Sequence, residues 1–193
     1  FNDECFVVTD GVGGMPHGDA AARIAAETAL WGYKLIRQRT FYWAAKGEFV
    51  KRIFHSVNLT LWQKQREKEF ADGMATTMVV AIVSPYKMWI GSAGDSSAFL
   101  YRDGLIDLLT RPDVDSEGRL TKALGTKRYG LVPQIVGERF LPGYIYVLAT
   151  DGVTRYVEED AFRSILEAVG DTTQSVTDAV VSLLRTAEKN GSR

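Results

Sequence analysis

Four Asp-Gly dipeptides punctuate the chain, at Asp10-Gly11, Asp72-Gly73, Asp103-Gly104 and Asp151-Gly152. Asp-Gly is first of all a turn signal, because glycine takes left-handed backbone angles and the aspartate side chain bonds its own backbone. Asp72-Gly73 fits that role as a helix stop, and Asp103-Gly104 fits it as a hairpin turn. The other two stand in one repeated tetrapeptide, Thr-Asp-Gly-Val, at 9–12 and 150–153. Each follows an apolar run that reads as a strand, and neither is followed by a complementary strand. A carboxylate at a strand tip is well placed to hold a cation, and a glycine behind it lets a backbone carbonyl approach the same ion. Two such strands lying side by side would bring Asp10 and Asp151 together. Close carboxylates repel, and one takes up a proton. A divalent metal turns that repulsion into affinity.

The glycine-rich loop at 11–18 invites a phosphate-cradle reading, which the residues do not support. A dinucleotide fingerprint needs glycine at position 16, where Pro16 stands, and a Walker loop ending at Gly18 needs lysine next, where Asp19 stands. An acid in place of the phosphate-binding lysine argues for a cation. A third acid, Asp95, lies in Gly91-Ser92-Ala93-Gly94-Asp95-Ser96-Ser97. Small residues on both sides mean close packing or a sharp bend. Asp95 either satisfies local amides at that bend or joins the other acids.

The elements that must position these acids follow from hydrophobic periodicity. Residues 6–10 read as a buried strand. Residues 19–39 read as a helix, with Ile24, Trp31 and Leu35 at helical spacing and alanines on one face. Residues 48–70 read as a second helix, with Phe49, Ile53, Val57 and Leu61 recurring every fourth position. Strands are expected at 76–83, 87–93, 97–101 and 105–109, with a turn at Ser84-Pro85. A further antiparallel pair is expected at 133–140 and 144–150, turning at Leu141-Pro142-Gly143. Helices close the chain near 158–169 and 172–189, the last with Val176, Val180, Leu183 and Ala187 as its apolar face. Strands in hairpins and helices in pairs predict an α+β fold, a sheet-on-sheet core flanked by helix pairs.

Composition is that of an ordinary globular chain, with 193 residues, 46% hydrophobic, 24% charged and a net charge of −1. No basic stripe marks a nucleic-acid binder, and no apolar run reaches the roughly 20 residues needed to span a bilayer. One cysteine, Cys5, rules out an internal disulfide, and it is read as a small buried side chain. With two histidines a zinc site is poorly supplied, while abundant acids suit Mg²⁺ or Mn²⁺.

Taken in order, the motifs resemble those of the type 2C, metal-dependent protein phosphatases (the PPM family) in bacterial form. Asp10-Gly11-Val12-Gly13-Gly14 is similar to the first metal motif of that family. Gly73-Met74-Ala75-Thr76-Thr77 resembles its Gly-x-Gly-Thr-Thr strand start. Gly94-Asp95-Ser96-Ser97 followed by Tyr101-Arg102-Asp103-Gly104 resembles its Gly-Asp-Ser hairpin, and Leu120 to Gly125 the stretch before its later strands. Leu148-Ala149-Thr150-Asp151-Gly152-Val153 resembles its Ser-Asp-Gly motif. The resemblance implies a four-layer α-β-β-α sandwich of two antiparallel sheets flanked by helix pairs, in a single catalytic domain over 1–193. It implies that Asp10 bridges two Mg²⁺ or Mn²⁺ ions, that the Gly11 carbonyl binds one and Asp151 the other, and that Asp95 helps hold a third. The reaction implied is direct hydrolysis of phosphoserine or phosphothreonine in proteins by metal-activated water, with Asp10 and Asp151 at the catalytic centre.

The chain departs from the family pattern in four ways. It opens at Phe1 inside an expected strand, so the family's phosphate-gripping Arg and its first strand are expected to be missing. The last long helix runs into Asn190-Gly191-Ser192-Arg193, just where a final strand and an Asp-Asn metal pair are expected. Val12 replaces the histidine that eukaryotic members use as an acid, and His17, a lone loop histidine, is a poor substitute. Only 111–119 lies where bacterial members carry a long flap, which leaves the site more open. The expectation is a cytoplasmic monomer whose partner is a phosphorylated protein substrate, such as that of a cognate serine/threonine kinase, with no nucleic acid and no membrane. A non-catalytic module of the same fold that binds a phosphoprotein or regulatory partner, or a small-molecule phosphoesterase, would carry the same motifs.

Overall fold

A computed structural model describes residues 4–37, 46–84 and 87–192. Among these, seven strands form two antiparallel sheets. β1 (Glu4–Gly11), β2 (Thr76–Ser84), β3 (Lys87–Ala93) and β6 (Gln134–Arg139) form one, in the order β1-β2-β3-β6. β4 (Ser97–Arg102), β5 (Leu105–Leu108) and β7 (Ile145–Ala149) form the other, in the order β5-β4-β7. The helices α1 (Gly18–Arg37) and α2 (Lys46–Lys64) cover the first sheet, and α4 (Glu159–Glu167) and α5 (Thr173–Lys189) cover the second. The short α3 (Asp151–Thr154) lies between β7 and α5. The result is the expected four-layer sandwich.

β2 shows why the layers stack. Its side chains alternate, with Met78, Val80 and Ile82 packing against α1 and α2 while Val79 and Ala81 face the other sheet with Met88, Ile90 and Ala98. A strand covered on both faces reads as a continuous apolar run rather than an alternating one, and Thr76–Ser84 has that pattern. Small residues govern the closest approaches. A side chain at Gly91 would meet Val50 at 2.4 Å and Phe54 at 2.6 Å, so glycine is what lets α2 lie on β3.

Several expectations are corrected. The strands at 133–140 and 144–150 do not pair with each other: β6 pairs with β3 and β7 with β4. The chain changes sheets at Leu141-Pro142-Gly143, so that Val136 packs between the two sheets while Ile145 and Val147 pack under α4 and α5. β3 and β4 divide in the same way, across Gly94-Asp95-Ser96. The second helix ends at Lys64, not at residue 70. Arg66 N–H donates to the Gln63 carbonyl at 3.0 Å and Glu67 N–H to Lys64 at 3.0 Å, tight turns that swing Phe70 into the core.

In α1 the buried row is Ala21, Ala25, Ala29 and Tyr33, while Trp31 is 61% exposed. Short alanines let the helix lie close against the sheet, and that proximity decides which face is buried. In α5 the buried row is Ala179, Leu183 and Ala187, with Val176 and Val180 exposed. Residues 38–39 of the expected first helix and the turn residue Pro85 lie outside the described residues. No helix is long and apolar enough to cross a membrane among the described residues.

Candidate metal centre

β1 ends by handing its backbone to two neighbours. Asp10 pairs with Thr77 and Gly11 with Thr76, and Val12 N–H donates to the Ala75 carbonyl at 3.0 Å. The buried Thr76 hydroxyl lies 2.7 Å from the Asp10 carbonyl oxygen, to which it donates. Thr76 also exchanges backbone hydrogen bonds with Leu124, at 2.9 and 3.2 Å. The loop after Gly11 then folds back so tightly that a Cβ at Gly11 would stand 2.3 Å from the Gly18 carbonyl carbon. Only glycine fits there, and the turn delivers the chain into α1. Thr9 Oγ1 donates to the Ala22 carbonyl at 3.0 Å, tying β1 to that helix.

The second tetrapeptide is built differently. Thr150 is extended, and Asp151 begins α3, so the backbone turns into a helix as soon as β7 ends. Val153 N–H and Thr154 N–H both donate to the Thr150 carbonyl. Asn190 Nδ2 donates to the Tyr156 carbonyl at 2.7 Å, and Ser192 Oγ would be 3.4 Å from a Cβ at Gly152, so the end of α5 lies against this turn.

Asp10 and Asp151 therefore come from different sheets. They are not tips of neighbouring strands in one sheet, as the spacing suggested, but meet where the ends of β1 and β7 approach across the sandwich. Burial pushes the Asp10 carboxyl up to about 6, and hydrogen bonding to and repulsion from the Asp151 carboxyl add to this. Asp95 and Asp19 contribute further repulsion. Asp95, at the sheet-to-sheet crossing, is likewise raised by burial and by Asp151, and Arg155 opposes the shift. Asp10 and Asp95 thus both lie within electrostatic reach of Asp151.

Two features escaped the sequence reading. Arg155 reaches back one helical turn, with Nε 3.2 Å from Asp151 Oδ2 and Nη2 3.2 Å from Asp95 Oδ2. Its i,i+4 spacing from Asp151 is the signal that could have shown it. Asp113 anchors the short segment that stands for a flap. Its Oδ2 accepts from Gly94 N–H at 3.0 Å, its own N–H donates to the Gly94 carbonyl at 2.8 Å, and its Oδ1 pairs with Lys122 Nζ at 2.8 Å. Gly94 takes φ of +111°, and a Cβ there would meet Thr77 at 2.6 Å. Thr77 and Ser96 share a hydroxyl hydrogen bond of 2.7 Å beneath Asp95. His17 packs its ring edge-on against Phe70 and accepts the Ala21 N–H on its carbonyl. Burial raises the Cys5 thiol to about 12, which keeps it protonated and unreactive at neutral pH.

A divalent cation fits this donor set on the evidence of the acids themselves. The Asp10 carboxyl, set against Asp151 and raised in proton affinity, is short of positive charge, and hard oxygen donors are what Mg²⁺ and Mn²⁺ take. Among the described residues, no three His, Cys, Asp or Glu side chains are grouped so that together they could hold a metal ion.

The chain is thus an antiparallel sandwich between helix pairs, with Asp10 and Asp151 facing each other where the sheets meet. Residues 2–186 match the family described as Protein phosphatase 2C, and the chain belongs to that family of metal-dependent protein phosphatases. It is 23% identical over 187 residues to the serine/threonine phosphatase stp of Listeria monocytogenes, an alignment that takes in 86% of this chain and 73% of the relative. The crystal structure of serine/threonine phosphatase Stp1 from Staphylococcus aureus superposes with a TM-score of 0.86 at 22% identity, covering 99% of this chain and 80% of that one. A bacterial serine phosphatase superposes with a TM-score of 0.82 at 24% identity, covering 99% and 82%.

Proposed function

We propose that this chain belongs to a single catalytic domain that removes phosphate from phosphoserine and phosphothreonine in proteins, using Mg²⁺ or Mn²⁺. The observation that carries this reading is the meeting of Asp10 and Asp151 across the two sheets, with the Asp10 carboxyl raised to about 6. Asp10, Asp151 and the Gly11 carbonyl would hold two ions, and Asp95 would contribute to a third. When bound, such ions supply a nucleophilic water at neutral pH and offset the charge of the phosphate dianion.

The chain's own residues do the positioning. The Thr76 hydroxyl on the Asp10 carbonyl and the Gly11–Gly18 contact hold the first acid rigidly at the end of β1. The Thr150 carbonyl and its helical turn present Asp151 from the opposite sheet. The Asp113 bridge to Gly94 sets the bend that carries Asp95. Cys5, half-buried and held protonated, is not a candidate nucleophile. The segment that stands for a flap is short and closed by a bridge between Val114 and Leu120. The substrate proposed is the product of a serine/threonine kinase, and the setting proposed is a cytoplasmic monomer.

The test is Mn²⁺-dependent hydrolysis of a phosphothreonine peptide by the purified protein and by its Asp151→Asn variant. Hydrolysis should need Mn²⁺ and should drop by at least about a thousandfold in the variant. Turnover that survives the substitution would reject the mechanism.

A further inference from the structure

We propose that Arg155 is a tethered counter-cation that competes with a divalent ion for Asp95 and Asp151 and so sets the metal affinity of that side of the site. The inference rests on the proposed metal reading of these acids.

Arg155 follows Asp151 by four residues, one turn along the chain, so its side chain folds back over the same face. Its contacts exceed those of an ordinary helix-surface pair. Nε meets Asp151 Oδ2 and Nη2 meets Asp95 Oδ2, both at 3.2 Å, so one guanidinium joins acids from two different elements. The Asp95 side chain is 14% exposed and that of Asp151 30%, while that of Arg155 is 55% exposed. The cation thus enters from the solvent side and caps acids that are largely withdrawn from water. A planar guanidinium is the side chain suited to such a two-pronged grip.

The same oxygens are what a hard divalent ion requires. A carboxylate oxygen that accepts a charged N–H hydrogen bond has less to offer a metal, and a cation left beside the site repels a second one. Loading a metal on Asp95 and Asp151 therefore means displacing Arg155 from both. Arg155 makes no ion pair with Asp10, so the direct competition falls on Asp95 and Asp151. The two sides of the site should then differ in how readily they fill, with the Asp95 side the weaker.

The sign of the effect separates this role from scaffolding. A residue that merely held the loop in place would, when removed, loosen the acids and weaken metal binding. A competitor would, when removed, strengthen it. Calorimetric titration of Mn²⁺ into the metal-free protein reads this directly, without any turnover. Arg155→Ala should tighten the weaker Mn²⁺ step by about tenfold while lowering the thermal midpoint of the metal-free form. Arg155→Lys, which keeps the charge but not the fork, should stay within about threefold of the unchanged protein. Should Arg155→Ala not fold without metal, Arg155→Gln, which keeps the length and loses the charge, should tighten binding in the same direction. Unchanged or weaker Mn²⁺ binding in the uncharged variants, with binding still lost in Asp151→Asn, would overturn this inference alone. Failure of the unchanged protein to bind Mn²⁺ at all would overturn the metal reading and this inference with it.

Discussion

The tetrapeptide Thr-Asp-Gly-Val occurs twice and folds in two ways. At 9–12 it stays in the plane of a sheet through Gly11 and then reverses against Gly18. At 150–153 it leaves the sheet at Thr150 and winds into the first turn of α3. The side chains nonetheless end at one place, the Asp10 carboxyl against that of Asp151. The glycines have different reasons as well. Gly11 is required by a backbone contact that leaves no room for a Cβ, whereas a Cβ at Gly152 would make ordinary contacts at 3.4 Å with the Ser192 and Thr150 hydroxyls. Identical local sequence is thus compatible with both outcomes, and the surrounding sheet or helix selects between them.

That contrast can be broken experimentally. The largest effect is expected at Gly11→Ala, where the clash is with backbone and cannot be relieved by a rotamer change. A loss of about 3 kcal/mol or more in urea unfolding is expected, with activity lost alongside. A stable Gly11→Ala protein would mean that the Gly11–Gly18 approach does not hold the loop.

A smaller effect comes from the acids in the absence of metal. Because folding raises the Asp10 carboxyl from the usual carboxylate range to about 6, the stability tied to its protonated form is present in full below about pH 4. It is lost as pH rises through about 6. Since Asp10 is partly solvent-screened, the change is on the order of 1 kcal/mol. Unfolding in chelator at pH 4.5 and pH 7.5 should show this loss in the unchanged protein. Asp10→Asn should remove it and be the more stable protein at pH 7.5, although inactive. Equal pH dependence in the two proteins would contradict the placement of Asp10 against Asp151.

The smallest effect is expected at Gly152→Ala. Alanine gains helix propensity in α3 against a mild contact with two hydroxyl groups, so stability should move by less than about 1 kcal/mol in either direction. A loss as large as that of Gly11→Ala would erase the difference between the two tetrapeptides.

Much of this architecture was legible along the chain. Seven strands were expected, and all seven lie close to their expected positions. The buried row Phe49, Ile53, Val57 and Leu61 was visible in its own period. The hairpin at Asp103-Gly104 joins β4 to β5 as its turn chemistry indicates, with Asp103 itself in the left-handed region at φ 50°. The candidate acids were legible too, since an acid-glycine pair after an apolar strand carries its chemistry in local order.

Other features were decided in three dimensions. Which sheet a strand joins depends on what covers each of its faces, so β6 and β7, joined by an ordinary turn, went to different layers. Which row of α1 is buried depends on how closely the helix can approach β1, and that favoured alanines over Trp31. Arg155 gained its second partner, Asp95, only because β4 and β7 pair and bring 95 and 151 to the same edge. Periodicity and turn chemistry act over a few residues and are written in the chain. The choice of layer, the meeting of the acids and the guanidinium between them arise from contacts between residues far apart in sequence, so only the packed molecule could determine them.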